Sequence, residues 1–119
     1  MESKARAKIL EKREIHSGEF LFIIEKLSEE ELNMTSINNT TKDKFSKQNI
    51  CLKNITYDTV IASLEHQVEQ IKSEFKLEDK ELLVHITVKY EFIKGTEETF
   101  SLQQEEQNEL QIVKWIVTN

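Results

Sequence analysis

The chain has 119 residues, a length that fits one domain and leaves too few residues for two. Hydrophobic residues make up 38% of it, enough for a core, and the absence of proline together with only two glycines excludes collagen-like and linker-like classes. The net charge of −6 does not favour a nucleic-acid-binding protein. We therefore interpret residues 1–119 as one acidic globular domain.

The cellular compartment is predicted from what the sequence lacks. The longest apolar run, residues 21–24, is too short for a membrane helix, and the N-terminal residues lack the apolar stretch of a secretion signal. Cys51 is the only cysteine, so the chain cannot form an internal disulfide, which agrees with a reducing cytosol. We expect a cytoplasmic protein without membrane association.

The first predicted element is an N-terminal helix over residues 2–14. Its residues are good helix formers, and Lys4, Lys8 and Lys12 recur every four positions. On a helix these lysines form one basic stripe, which makes them the candidate electrostatic contact of the protein. The stripe would meet an acidic partner, the acidic body of the same chain or that of a second copy.

The next segment, residues 19–27, alternates apolar residues in the manner of a strand that is covered on both faces. After it, Ser28 and Glu31 have the spacing of a capping box, which predicts one or two helical turns to about Met34. Residues 33–49 are mostly polar, and we expect a long mobile loop there. Residues 50–55 are predicted to form a short strand.

The long amphipathic helix is predicted over residues 57–76. Thr56 is a suitable N-cap for it, and the apolar residues that follow recur at spacings of three and four: Val60, Ile61, Leu64, Val68, Ile71 and Phe75. Glutamate, glutamine and lysine occupy most of the remaining positions, which is typical of a helix with one face on a core.

From Leu82 the apolar period changes to two, which predicts a strand over residues 82–92 with one core face. Gly95 follows, and we expect it in a left-handed position of a three-residue hairpin loop, residues 93–95. That loop places Val88 opposite Phe100 and Ile86 opposite Leu102, so that all four side chains share the core face.

The C-terminal residues 104–118 are ambiguous between helix and strand, because Gln103 to Glu109 favours helix and the following residues are β-branched or aromatic. We interpret them as a turn followed by a strand. Val113, Trp115 and Val117 then lie on one face of that strand and form the candidate protein interface. A homodimer through this last strand would cover its edge.

Together these elements predict an α+β fold. An antiparallel β-meander of about residues 82–118 has the helix of residues 57–76 packed on one face, with an N-terminal helix and additional short strands. The sequence pattern does not decide whether the strands at 19–27 and 50–55 join the same sheet.

No catalytic, cofactor-binding or metal-ligating residues are predicted. Cys51 stands between Ile50 and Leu52, which is typical of a buried structural thiol. His66 with Glu69 lacks the second histidine of a zinc motif, and His85 points outward from its strand as an ordinary cross-strand neighbour. The glutamate clusters lie at predicted element ends, where charges usually face water.

We therefore expect a non-catalytic protein-binding module, such as an inhibitor, adaptor, immunity or assembly factor, with another protein as its partner. The alternative is a small-molecule-binding or enzymatic pocket between the helix and a curved sheet, with His85 or a glutamate at its rim. A second alternative is a nucleic-acid-associated regulator that uses the basic N-terminal helix.

Overall fold

A computed structural model describes residues 8–66 and 69–105 of the chain. Within these residues the elements in chain order are β1 (Glu11–Ser17), β2 (Phe20–Ser28), β3 (Glu31–Asn38), β4 (Lys44–Cys51), α1 (Tyr57–Glu65), β5 (Ile71–Glu78), β6 (Glu81–Val88) and β7 (Thr96–Gln104). All strand pairs are antiparallel, and the order in the sheet is β1-β2-β3-β4-β7-β6-β5. The α+β prediction is wrong, because the described fold is mostly β with one short helix.

The sheet curls into a half-barrel around its core. Phe75 of β5 contacts Phe20 and Phe22 of β2, at ring-centroid distances of 5.7 and 5.1 Å, although four strands separate β5 from β2 in the sheet order. Helix α1 contacts both edge strands, β1 and β5. The inner face of the curled sheet and the buried side of α1 therefore enclose one hydrophobic core.

The predicted N-terminal helix over residues 2–14 is wrong for its described part, because residues 11–17 form β1. Ile15 and Ser17 point to the core, His16 and residues 12–14 are exposed, and Glu11 is half-buried. Gly18, with φ of 62°, opens the two-residue turn to β2, a conformation that glycine adopts at little cost. Strand β2 confirms the strand predicted at 19–27.

The capping box predicted at Ser28 is a hairpin turn instead of a helix start. The Ser28 hydroxyl accepts a hydrogen bond from the backbone N–H of Glu30 at 3.1 Å, and Ser28 pairs with Glu31 across the turn. A serine hydroxyl binds a nearby backbone N–H in a turn as readily as at a helix N-terminus. The helical turns to Met34 are therefore replaced by β3.

The long loop predicted at residues 33–49 is wrong, because β3 and β4 occupy most of that segment. Strand β3 buries alternate residues, and two of them, Ser36 and Asn38, are polar. The Asn38 side chain accepts backbone N–H groups of Thr40 and Thr41 at 2.8 and 3.0 Å, which stabilises the turn to β4. The buried polar residues interrupt the apolar alternation that identifies a strand. The strand predicted at 50–55 is likewise corrected, because β4 ends at Cys51.

The helix predicted at 57–76 begins as expected and ends early. Thr56 is its N-cap and accepts a hydrogen bond from the backbone N–H of Thr59, which confirms the predicted start. The helix ends at Glu65, and residues 71–78 form β5. Ile71 and Phe75 lie on the core-facing side of β5, because a spacing of four residues also keeps two side chains on one face of a strand.

The predicted strand at 82–92 is confirmed for β6, whose Leu82, Val84, Ile86 and Val88 are all buried. The predicted hairpin register is wrong by four residues, since Val84 faces Phe100 and Leu82 faces Leu102. The loop to β7 therefore spans residues 89–95, and Phe92 within it is 88% exposed. Because the shift is an even number, Phe100 and Leu102 still reach the core as predicted.

A network of polar contacts ties α1 to the first hairpin. The hydroxyl of Tyr57 donates to Glu11 Oε2 at 3.3 Å, and Lys26 Nζ lies 5.0 Å from the centre of the Tyr57 ring. Arg13 pairs with Glu11 and, at 3.4 Å, with Glu65 at the end of α1. Since Tyr57 is 1% exposed, its ring belongs to the core while its hydroxyl joins this network.

Burial, and next the negative charge of Glu11, raise the pKa of Tyr57 from its ordinary 10.0 to about 12. A raised pKa stabilises the fold while the phenol is neutral, and this contribution is lost as pH rises from about 10 to about 12. Between pH 9 and pH 11 we expect the wild type to lose about 1 kcal/mol more free energy of unfolding than Tyr57→Phe. Urea unfolding of both proteins at pH 9 and pH 11 measures these free energies of unfolding. Equal losses of free energy in the two proteins would contradict the prediction.

Candidate functional site

The described residues include none of the predicted interface and only part of the predicted charge stripe. Val113, Trp115 and Val117 lie outside the described residues, as does Lys4, so their roles stay predictions. Lys8 and Lys12 are exposed, but Lys12 is part of β1 and no helix joins the two. The helix that would align these lysines is therefore wrong for its described part, because Lys12 lies on a strand, and the contact itself stays a prediction.

The candidate site is a cleft between β4 and β7, with a volume of 540 Å³. The two strands pair at only two positions, Phe45 with Gln104 and Ser46 with Gln103. Beyond them β4 is deformed by a bulge, where Asn49 has φ of 55° and its N–H donates to the side chain of Asn33 at 2.8 Å. Bulges bend the strand that carries them, so this one accounts for the separation of β4 from β7.

The cleft exposes one edge of β7. The N–H of Gln104 bonds to the carbonyl of Lys80 in the turn before β6, and backbone groups alternate in direction along a strand. Even-numbered residues of β7, like Gln104, therefore direct their backbone groups toward β6. The odd-numbered residues direct their N–H and C=O groups toward β4: Glu97, Thr99 and Ser101. The described part of β4 supplies no strand partner for them. At one end of the cleft, the side-chain amide of Asn54 donates to the Glu97 carbonyl at 3.0 Å.

His85 lies on the cleft wall in a fully bonded state. Its Nδ1 is 2.7 Å from the Thr99 hydroxyl, and its Nε2 is 3.0 Å from Glu97 Oε1. Thr99 stands directly opposite His85 in the sheet, so the outward orientation predicted from strand parity is confirmed. Both ring nitrogens of His85 therefore have a side-chain partner on β7, a hydroxyl on one side and a carboxylate on the other.

Glu98 closes one end of the cleft. Its carboxylate accepts the backbone N–H groups of Lys53 and Asn54 at distances of 2.8 to 3.1 Å. These two residues lie in the connection between β4 and α1, so the carboxylate joins β7 to that connection where no strand pairing does so. The carboxylate therefore has a structural role, and the sequence pattern that predicted solvated turn charge did not reveal it.

Cys51 lines the same cleft, at the end of β4. Its thiol is free and exposed, so the prediction of a buried structural thiol is wrong. Ile50 is buried while Cys51 faces outward, because successive side chains on a strand point to opposite faces. The Cys51 thiol donates to the Asn49 carbonyl at 3.9 Å and the His85 ring bonds Thr99 and Glu97, so the described contacts do not pair this cysteine with this histidine.

The cleft also differs in place from the predicted pocket. It lies between two strands, whereas the sequence led us to expect a pocket between the helix and the sheet. Lys47 and Asn49 line it, although the sequence placed both in a loop. In the described ranges, no three side chains among His, Cys, Asp and Glu are grouped so as to hold a metal ion.

Comparison with protein-family models, with curated proteins and with solved structures finds no significant match to this chain. Within residues 8–66 and 69–105, no helix has the length and apolar character that crossing a membrane requires.

Proposed function

We propose that the protein is a non-catalytic protein-binding module, of the inhibitor, adaptor, immunity or assembly-factor kind, whose β4–β7 cleft receives an extended segment of a partner protein. The observation that carries the proposal is the β7 edge at the cleft, where the backbone groups of Thr99 and the N–H of Glu97 point toward β4 without a described strand opposite them. The Glu97 carbonyl already accepts the Asn54 side chain, and Ser101 continues the same edge beyond the cleft. An extended polypeptide has the alternating N–H and C=O groups that match such an edge.

The walls of the cleft support a polypeptide occupant over a reaction. Lys47 and Lys53 line the β4 side and Glu97 lines the β7 side, so both signs of charge are present for side chains of a bound segment. The Glu98 carboxylate, which general acid–base chemistry could otherwise use, accepts the backbone N–H groups of Lys53 and Asn54. The volume alone would also suit a small molecule, which is the alternative function.

The first test uses Cys51, the only cysteine of the chain, as a chemical handle in the cleft. Linear peptides are selected from a displayed random library on the purified wild type. Alkylation of Cys51 with a bulky maleimide is expected to weaken binding of the selected peptides at least about tenfold, because the adduct fills the cleft. In return, a bound peptide should slow the alkylation of Cys51, measured by mass spectrometry.

The matched control is Cys51→Ser with Glu14→Cys, which moves the same adduct to the exposed face of β1, away from the cleft. This labelled variant should keep the wild-type affinity. Peptides that bind equally well after Cys51 is alkylated, or a library that yields no linear binder, would contradict the proposal. If small compounds protect Cys51 and peptides do not, the alternative function is supported instead.

The second test separates strand addition from side-chain recognition. N-methylation removes backbone donors of a selected peptide one residue at a time. Binding should fall at alternate residues, whose N–H groups face β7, and should be nearly unchanged at the residues between them. A loss that follows no alternation would show that the peptide does not bind as a strand.

A further inference from the structure

Strand β5 is the last strand of the sheet, and within the described residues no other strand pairs with its outer edge. Helix α1 packs on the core-facing side of β5, where the buried Ser73 hydroxyl donates to the Ser63 carbonyl at 3.0 Å. The carbonyl of Gln70 accepts the N–H of Lys89, which fixes which residues direct their backbone toward β6. Because backbone directions alternate along a strand, the even-numbered residues of β5, like Gln70, bond to β6. The odd-numbered residues direct their N–H and C=O groups away from the sheet. The outward-directed residues are Ile71, Ser73, Phe75 and Leu77.

We infer that this edge binds the same edge of a second copy of the chain, antiparallel, with Phe75 of one copy facing Phe75 of the other. In that register the outward-directed residues lie opposite each other, Phe75 with Phe75 and Ser73 with Leu77, and roughly six backbone hydrogen bonds form. Lys72 then faces Glu78 of the second copy, and Glu74 faces Lys76. The two-fold axis repeats both pairs, so the whole exposed face of the junction pairs opposite charges.

The charge pattern favours this register over the two registers that are reached by sliding one copy along the other. The backbone directions allow one copy to slide only in steps that keep outward residues opposite each other. One such step puts Glu74 opposite Glu74 and Lys72 opposite Lys76, and the step in the other direction puts Lys76 opposite Lys76. Like charges directly opposite each other destabilise a strand pair, so only the register centred on Phe75 is fully complementary.

The apolar residues on the core-facing side of β5 also support pairing with a second copy. Leu77 is 50% exposed at the free edge and lies two residues from Phe75, which is only partly buried. In the proposed register Leu77 lies diagonal to Phe75 of the second copy, within reach of its ring. Pairing would therefore cover apolar surface that the single chain leaves in water.

Two charge reversals at exposed positions test the inference. Glu74→Lys alone places a new lysine opposite Lys76 of the second copy, and Lys76→Glu alone places a new glutamate opposite Glu74. Each variant should self-associate at least about tenfold more weakly than the wild type, measured by sedimentation equilibrium over a concentration series. Mixing the two variants should restore association, because the pairs in the mixed dimer are again opposite in charge.

Glu19→Lys is the matched control, since it makes the same change of charge in the exposed turn between β1 and β2. It should associate as the wild type does. A wild type that stays monomeric at every concentration, or a dimer that both reversals leave intact, would overturn the inference. A dimer that is lost in Trp115→Ala and kept in both reversals would place the interface at the C-terminal residues instead.

Discussion

Replacing Phe22 by alanine is expected to lower the free energy of unfolding by about 4 kcal/mol. The Phe22 side chain is fully buried in β2 and contacts the rings of Phe20 and Phe75 at 6.1 and 5.1 Å. The substitution removes both the apolar burial of the ring and the contact that joins β2 to β5 across the inside of the half-barrel. Denaturant unfolding followed by circular dichroism measures the change.

Phe92→Ala is the matched control for this experiment. Both phenylalanines occupy apolar positions in alternating segments, but Phe92 is 88% exposed in the loop between β6 and β7. Its removal should change the free energy of unfolding by less than about 0.5 kcal/mol. Equal effects of the two substitutions would mean that the curled sheet described above is wrong.

The second large effect is expected from Gly95→Ala, at least about 2 kcal/mol of destabilisation in the same assay. A Cβ at Gly95 would overlap the carbonyl oxygen of Val88, which is backbone and cannot turn aside as a flexible side chain can. Val88 pairs with Thr96, so moving that carbonyl would disturb the end of the β6–β7 hairpin.

Gly18→Asn provides the contrast. Gly18 has φ of 62° and open space around its Cβ position, and asparagine tolerates that backbone conformation better than other residues. We expect a cost below about 1 kcal/mol. If Gly95→Ala is as mild as Gly18→Asn, the close approach of Gly95 to Val88 is not present in solution. The left-handed conformation predicted for Gly95 is wrong, because Gly18 has the positive φ of the two glycines.

The candidate site could be predicted from sequence only in part. The outward direction of His85 follows from strand parity alone, and the structure agrees. The cleft depends on where β4 stops pairing with β7, which a bulge at Asn49 decides. Asparagine often adopts positive φ, but that signal has no meaning until the segment is known to be a strand. Glu98 and Cys51 reach the cleft only because the sheet brings distant strands together.

By itself, the sequence determined the local features whose cause lies within a few residues. The N-cap at Thr56 satisfies helix donors that are close in the chain, and the alternation from Leu82 to Val88 assigns side chains to two faces. The tertiary structure decided whether Ile71 and Phe75 belong to a helix or a strand, because a spacing of four residues fits one face of either. It also decided the hairpin register and the curl of the sheet, which arise from packing between residues far apart in the chain.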